Sequence, residues 1–224
     1  MALLGKAVLG VWNEVDPTIE DSFNDWYLTE HIPERTAVPG MLRGRRYRAL
    51  SGSPKYMALY EATSLDVLTT GAYRTQLDHP TPWTRYVMAG FTFALRGICE
   101  VIATSGQGVG GFATVIHFHP APGAETRLRA WVKAQVTALP TVRQIAAAHA
   151  WSGDTSEPLS PTSALAAKRS PDRPVEWVLA IEAADADALD AARAAVLASD
   201  PAAHGAEDIK PYPNYQLLYI MAPG

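Results

Sequence analysis

The sequence predicts an α+β fold of two consecutive β-α-β-β-α-β units, whose sheets pack against each other within one chain and enclose a barrel. The order of the elements, an internal repeat and the chain length support this prediction. The chain has 224 residues, enough for two units of about 100 residues each. A shift of about 121 residues places the segment that starts at Tyr56 on the segment that starts at Trp177, and Glu61 on Glu182.

The repeat also indicates where the two units divide. Near the start of each unit the shift is about 105 residues, and it places Trp26 on Trp131. The larger shift farther along fits an insertion in the second half. Residues 152–174 contain four prolines and are expected to form a surface loop. We therefore expect a first unit at 1–106 and a second, degenerate unit at 107–224.

In the first unit, the apolar run at 6–15 predicts a strand and is too short for a secretion signal. Pro17 suits the first turn of a helix, and apolar residues at helical spacing extend this helix to about His31. Pro33 is expected to end it. The remaining elements are predicted as strands at 43–50 and 56–62, helices at 64–77 and 84–88, and a strand at 91–103.

The second unit repeats this order. Its patterns predict strands at 112–119, 144–152, 176–183 and 215–222, and helices at 124–139 and 187–198. A unit of this type places both helices on one face of its sheet. The other faces of the two sheets are therefore expected to cover each other.

Composition excludes several classes of protein. The hydrophobic fraction of 48% and the charged fraction of 19% exclude wholesale disorder. A net charge of −4 argues against a nucleic-acid partner. No stretch approaches the ~20 apolar residues of a membrane helix. Cys99, the single cysteine, cannot form an internal disulfide, which favours a cytoplasmic location.

A motif in the first half resembles a known family. Residues 23–49 read FNDWYLTEHIPERTAVPGMLRGRRYRA. This segment is similar to the EthD-like branch of the dimeric α+β barrel superfamily, in its aromatic pair, its His followed by Pro, its Pro-Gly turn and its Arg-Tyr strand. Residues 78–87 also resemble a stretch of relatives with two tandem ferredoxin-like units. The second half is a degenerate copy, in which Val136 aligns with His31.

The resemblance implies the barrel fold and, from the habit of the family, a homodimer. It implies little about activity, because the superfamily hosts isomerases, cofactor-free monooxygenases, haem enzymes and members with no known reaction.

His31 is the candidate catalytic residue, because an imidazole can take or give a proton near neutral pH. The alternative is a histidine that satisfies the carbonyls at a helix end. The arginine-rich strand offers a second candidate, since alternation places Arg45 and Tyr47 on one face and Arg46 on the other. One face could bind a carboxylate or enolate; the alternative is a solvated edge strand.

The expected ligand is a small organic molecule, bound in the first half without a cofactor. The candidate binding residues are aromatic, basic or imidazole side chains, namely Trp26, Tyr27, Arg46, Tyr47, Tyr60, His79 and Trp83. Two of them have structural alternatives: Trp83 could cover the barrel mouth, and His79 could serve a turn, as Asp200 does at the matching position.

The second half holds a weaker candidate cluster. His117 and His119 lie on one strand face, and His149 could join them in a metal or haem site. No carboxylate or cysteine cluster accompanies them, so we expect no metal. Glu61 and Glu182 each end a strand before a helix, where compensation of the helix dipole explains them.

Three functions follow from these observations. The first is a cofactor-independent enzyme, of isomerase, lyase or monooxygenase type, that acts on a small aromatic or polyketide-like acid, with His31 moving a proton. The second is a non-catalytic small-molecule-binding or stress-associated protein. The third is a haem-binding barrel.

Overall fold

The computed structural model describes residues 2–153 and 177–224. The loop predicted at 152–174 lies, except for its first two residues, outside these ranges. The described strands are β1 (Ala7–Val15), β2 (Met41–Ala49), β3 (Tyr56–Ala62), β4 (Phe91–Gly106), β5 (Phe112–Pro120), β6 (Ile145–Gly153), β7 (Trp177–Ala183), β8 (Ala206–Pro211) and β9 (Tyr215–Met221).

Helices fill the connections between these strands. They are α1 (Glu20–Trp26), α2 (Ile32–Thr36), α3 (Leu65–Thr69), α4 (Gly71–Asp78), α5 (Pro82–Ala89), α6 (Glu125–Ala138) and α7 (Ala186–Ala198). A π-helical segment, Tyr27–His31, joins α1 to α2, and short 3₁₀ turns lie at Pro17–Ile19 and Leu139–Thr141.

Eight of the described strands close into one antiparallel barrel. Their order is β7-β6-β4-β1-β3-β2-β9-β5, and β5 pairs back with β7. The sheets of the two halves therefore join at their edges. The first part of β4 pairs with β1 and its last part pairs with β6, and β9 lies between β2 and β5. β8 pairs with β5 outside the ring. The predicted α+β barrel is confirmed.

Strand alternation divides the buried residues into three clusters. On β1, Val8 and Trp12 point into the barrel, while Leu9 and Asn13 point outward beneath the helices of the first half. A second outer cluster lies beneath α6 and α7. The helices thus cover the outside of the barrel, which leaves two helix–sheet interfaces and one barrel interior where a site can form.

Two elements differ from the prediction, besides the helix that carries His31. The helix expected at 64–77 breaks between α3 and α4, where Gly71 has a positive φ of 55° that favours glycine. β8 was not predicted. Its residues are mostly exposed and charged, so it lacks the hydrophobic alternation that indicates a strand.

The strand register is what a tandem repeat would produce. Arg45 pairs with Leu59 in the first half, and His149 pairs with Ala180 in the second. The repeat shift superposes Leu59 on Ala180, so Arg45 and His149 occupy matching positions. The tandem origin and the boundary between residues 106 and 107 stay predictions.

Candidate functional site

A widened helical turn carries His31. In the π-helical segment the amide of Ile32 donates to the carbonyl of Tyr27, five residues back. Pro33 follows, and its ring would clash with the carbonyl four residues back in a regular helix. The wider turn accommodates the ring, so the helix continues to Thr36. The prediction that the helix ends at His31 is wrong, and so is the interpretation of His31 as a helix-end residue.

Five of the eight predicted site residues meet between these helices and the outer face of the first-half sheet. We call this group the first-half site: Trp26, Tyr27, His31, Arg46 and Tyr60. The His31 ring stacks on Trp26 with centroids 4.1 Å apart. Tyr27 lies edge-on to it at 5.1 Å, and Tyr60 at 6.2 Å. An imidazole is therefore held on several sides by aromatic rings.

Arg46 is the cation of this site. Its guanidinium carbon lies 3.5 Å from the ring centre of Tyr27, 4.5 Å from that of Tyr56 and 4.8 Å from that of Phe23. The residue is only 1% exposed. Within the described chain, none of its three guanidinium nitrogens has a hydrogen-bond partner. Arginine stays charged even when burial lowers its pKa, so the site holds a buried charge that no carboxylate of residues 2–153 or 177–224 pairs with.

Other buried polar atoms nearby also lack partners among residues 2–153 and 177–224. They are Nδ1 of His31, the hydroxyl of Tyr60, Oδ1 of Asn13 and the hydroxyl of Tyr219. The amide of Asn13 donates to the Tyr27 hydroxyl at 2.9 Å. A buried polar atom without a partner costs about 1–3 kcal/mol. A polar ligand that bonded these atoms would remove that cost.

The environment sets the protonation state of the site. Burial lowers the pKa of His31 well below its ordinary value, and the charges of Arg35 and Arg46 lower it further. Burial raises the pKa of Tyr60 well above its ordinary value. At neutral pH the site therefore presents a neutral imidazole that can accept a proton, a phenol that can donate a hydrogen bond, and a guanidinium.

Glu30 fixes the edge of the site. Its Oε1 accepts hydrogen bonds from the Trp26 indole at 3.1 Å, the Thr81 hydroxyl at 2.6 Å and the Thr84 hydroxyl at 3.1 Å. Thr81 caps α5. One carboxylate thus connects α5 to the indole that stacks on His31.

The other predicted residues lie elsewhere. Trp83 packs at the edge of the first-half core and donates to the Ser22 hydroxyl at 3.0 Å. His79 is exposed where α4 ends. Tyr47 points into the barrel, where its hydroxyl accepts from Arg45 at 3.1 Å. Neighbouring residues on a strand face opposite ways, so Arg46 and Tyr47 cannot share one site.

The arginine strand is not a solvated edge. β2 lies between β3 and β9, and Arg45 is buried inside the barrel. There its Nε lies 2.8 Å from Glu61 and its Nη1 lies 2.5 Å from Glu182. Both carboxylates therefore bind Arg45, and their interpretation as helix-dipole partners is wrong.

The histidines of the second half do not form one cluster. His117 packs against Trp12 at 4.4 Å and Tyr212 at 4.2 Å, and burial lowers its pKa to about 3. A register shift separates His117 from His119 along β5. His149 binds Glu182 instead. Throughout the part of the chain that the structure describes, no group of three or more His, Cys, Asp or Glu side chains could hold a metal ion.

Sequence reasoning missed three residues that lie next to the first-half site. Asn13 had a signal, since it is a polar residue on β1 at an outward position, and the other outward residues of that strand are apolar. Tyr219 and Arg35 had none, because their places depend on the pairing of β9 with β2 and on the continuation of the helix past Pro33.

No protein-family model matches the chain, and no curated protein matches it. Solved structures do. An anthrone oxidase-like protein is 13% identical, with a TM-score of 0.68 over 97% of this chain and 93% of that one. A proposed monooxygenase from Lactobacillus acidophilus is 8% identical, with a TM-score of 0.62 over 98% and 97%. A haem-binding protein from Thermus thermophilus is 12% identical, with a TM-score of 0.54 over 96% and 92%.

These similarities extend over nearly the whole chain at very low identity, so they show the fold alone. Among the helices of the described residues, none has the length and apolar character needed to cross a membrane. The closed eight-stranded ring, the outer helices and the solved structures that match them agree. The chain has the dimeric α+β barrel fold.

Proposed function

We infer that the chain is a cofactor-independent enzyme, of isomerase, lyase or monooxygenase type, and that it acts on a small aromatic or polyketide-like acid at the first-half site. The observation that carries this proposal is Arg46, a buried guanidinium enclosed by three aromatic rings and without a carboxylate partner in the described chain. A buried charge is expensive unless an opposite charge accompanies it. The anionic group of an aromatic ligand would supply that charge.

The residues divide the chemistry between them. Arg46 would hold the acidic oxygen of the ligand, since a guanidinium suits carboxylates and enolates. The rings of Tyr27 and Tyr56 would position the ligand body. His31, neutral at pH 7, would accept a proton from the ligand, and the negative charge that develops would be stabilised by Arg46 and the Tyr60 hydroxyl.

The EthD-like resemblance of residues 23–49 supports the same site, because that motif supplies Trp26, Tyr27, His31 and Arg46. The anthrone oxidase-like and monooxygenase neighbours support an enzyme by analogy of fold. We also propose that the chain belongs to the EthD-like branch.

Ligand binding tests the role of Arg46. A panel of aromatic carboxylic acids and phenols, each paired with its neutral amide or methyl ether, is screened by thermal shift. We expect the acids to raise Tm and the neutral partners to fail. Arg46→Met should abolish the shifts without lowering the Tm of the free protein much, because it removes an unpaired buried charge. Arg48→Met, at an exposed position two residues along β2, should bind normally. Undiminished binding by Arg46→Met would refute the proposal.

Proton transfer separates an enzyme from a binding protein. If the bound ligand has an acidic C–H, we expect that hydrogen to exchange with deuterium from the solvent. NMR spectra of the ligand measure the exchange. His31→Asn should keep binding and lose the exchange. If the wild type binds the acids but never exchanges or converts them, the non-catalytic alternative is correct.

Haem does not fit the residues of the first-half site. The His31 ring has one face on Trp26 and its edges against Tyr27 and Tyr60, and its unpartnered buried nitrogen is Nδ1, next to the Cβ branch. Aromatic rings on three sides of this imidazole argue against a porphyrin beside it. Beneath α6 and α7 the described core is built from apolar side chains, and the imidazole of His204 is stacked on Trp131 with ring centroids 5.8 Å apart. A Soret band in protein expressed with a haem supply would overturn this conclusion.

We also propose a homodimer in the cytoplasm. Leu218 and Ile220 on β9 are 39% and 42% exposed, and exposed apolar side chains favour contact with a second copy. The cytoplasmic location is supported by the single cysteine, Cys99, which is buried inside the barrel and cannot form an internal disulfide.

A further inference from the structure

A hydroxyl, an imidazole and a carboxylate are aligned at one end of the barrel, on the opposite side of the sheet from the first-half site. The Thr104 hydroxyl lies 2.7 Å from Nδ1 of His149. Nε2 of His149 lies 3.1 Å from Oε1 of Glu182. This is the geometry in which a base activates a nucleophile while a third group orients the base.

Hydrogen bonding determines the state of His149. Arg45 and His149 outweigh the effect of burial and lower the pKa of Glu182 to about 2, so the carboxylate is ionised and can only accept. Nε2 of His149 must therefore carry a proton. When the imidazole is neutral, Nδ1 is the acceptor, and the Thr104 hydroxyl, 2.7 Å away, is placed to donate to it.

The carboxylate is rigidly held. Its Oε2 accepts from the backbone amide of Gly110 at 2.9 Å, and its Oε1 binds Arg45. A Cβ at Gly110 would lie 2.5 Å from the backbone nitrogen of Ala183, so only glycine allows this approach. Glu182 and His149 are both buried, with 2% and 0% exposure.

Thr104 differs from its two partners because it is exposed to solvent. The matching position of the first half carries no hydroxyl: Arg45 pairs with Ile220 there, as His149 pairs with Thr104 here. The hydroxyl–imidazole pair is therefore not a feature that the barrel requires at both ends. It combines a hydroxyl carried by a solvent-exposed residue with a buried base.

We propose that Thr104 is the nucleophile of a second active site, which takes small acyl esters. The hydroxyl oxygen attacks the acyl carbon while its proton passes to Nδ1 of His149. The C–O bond of the ester breaks, and the leaving alcohol takes the proton from His149. Water then hydrolyses the acyl-threonine, which releases the acid and restores the hydroxyl. Glu182 is a positioning residue that keeps the proton on Nε2.

This site is independent of Arg46 and His31, so its failure and the failure of the proposed function are separable. Thr104 could instead serve only as a hydrogen-bond partner of the buried imidazole of His149. In that case its hydroxyl will be no more reactive than that of any other surface threonine. Thr137 provides the matched comparison, since it is also exposed and its hydroxyl donates to a carbonyl, that of Lys133, at 2.9 Å.

The test uses p-nitrophenyl acetate with the full chain. We expect a burst of p-nitrophenol equal to the protein concentration and an acetyl group on Thr104 in peptide mass spectra. Thr104→Ser should keep the burst, Thr104→Val should reduce its rate at least about 100-fold, and Thr137→Val should not change it. Because Thr104 and Thr137 are exposed, these variants should fold, which circular dichroism checks.

His149→Gln adds a readout for the base. We expect it to slow the burst at least about 10-fold with the acetyl group still on Thr104. Release of p-nitrophenol that is unchanged in Thr104→Val, or acetylation at lysines alone, would overturn the proposal. So would a wild-type chain that shows no burst.

Discussion

Glu182→Gln should destabilise the protein by about 3 kcal/mol at pH 7. Arg45 and His149 lower the pKa of this carboxyl from 4.5 to about 2 in spite of its burial, and that difference corresponds to about 3 kcal/mol. Removing the charge also leaves Arg45 with Glu61 as its remaining carboxylate inside the barrel. For a chain of this length we expect Tm to fall by about 6–12 °C.

The sign of the pH dependence follows from the lowered pKa. The contribution of Glu182 is fully present above pH 4.5 and is lost as the pH falls toward 2. Urea unfolding of the wild type and Glu182→Gln should therefore show a large difference at pH 7 that shrinks toward pH 2. Asp190→Asn is the control, since Asp190 pairs with Arg193 at the surface and should change stability by less than about 1 kcal/mol. A pH-independent difference, or none at pH 7, would refute the reasoning.

Three further predictions concern the sites, the backbone and the assembly. His31→Ala should abolish binding of any acid found by the screen, while His117→Ala leaves it intact, as thermal shift will show; the reverse result would move the site into the barrel. Gly110→Ala should cost about 1–3 kcal/mol through its clash with the next strand, whereas Gly111→Ala, with nothing within 4 Å, should unfold in urea like the wild type. Light scattering at micromolar concentration should give the mass of a dimer, and a monomeric mass would contradict the proposed homodimer.

Much of the first-half site could be predicted because its residues lie close together in sequence or on alternating strand positions. Trp26, Tyr27 and His31 are neighbours on one helix, and alternation alone separates Arg46 from Tyr47. What failed was the end of the helix. Proline usually ends a helix, but the π-helical turn absorbs Pro33, and no local pattern indicates that.

The contrast between the two glutamates shows where local reasoning stops. In the sequence Glu61 and Glu182 each precede a helix, and compensation of the helix dipole explains both positions equally well. In the folded chain both bind Arg45, which lies 137 residues from Glu182. Partners at such distances are decided by barrel closure and not by neighbouring residues.

The sequence by itself determined the α+β class, the order of the strands and helices apart from β8, and which residues of each predicted strand share a face, because these depend on hydrophobic periods of two and 3.6 residues. Only the tertiary structure decided which of those faces carry chemistry. The pairing of β4 with β6 and of β2 with β9 closes the barrel. That closure buries Arg46 with no carboxylate partner among the described residues, gives Arg45 two, and brings Thr104 to His149. A side chain's partners depend on which strands meet across the sheet.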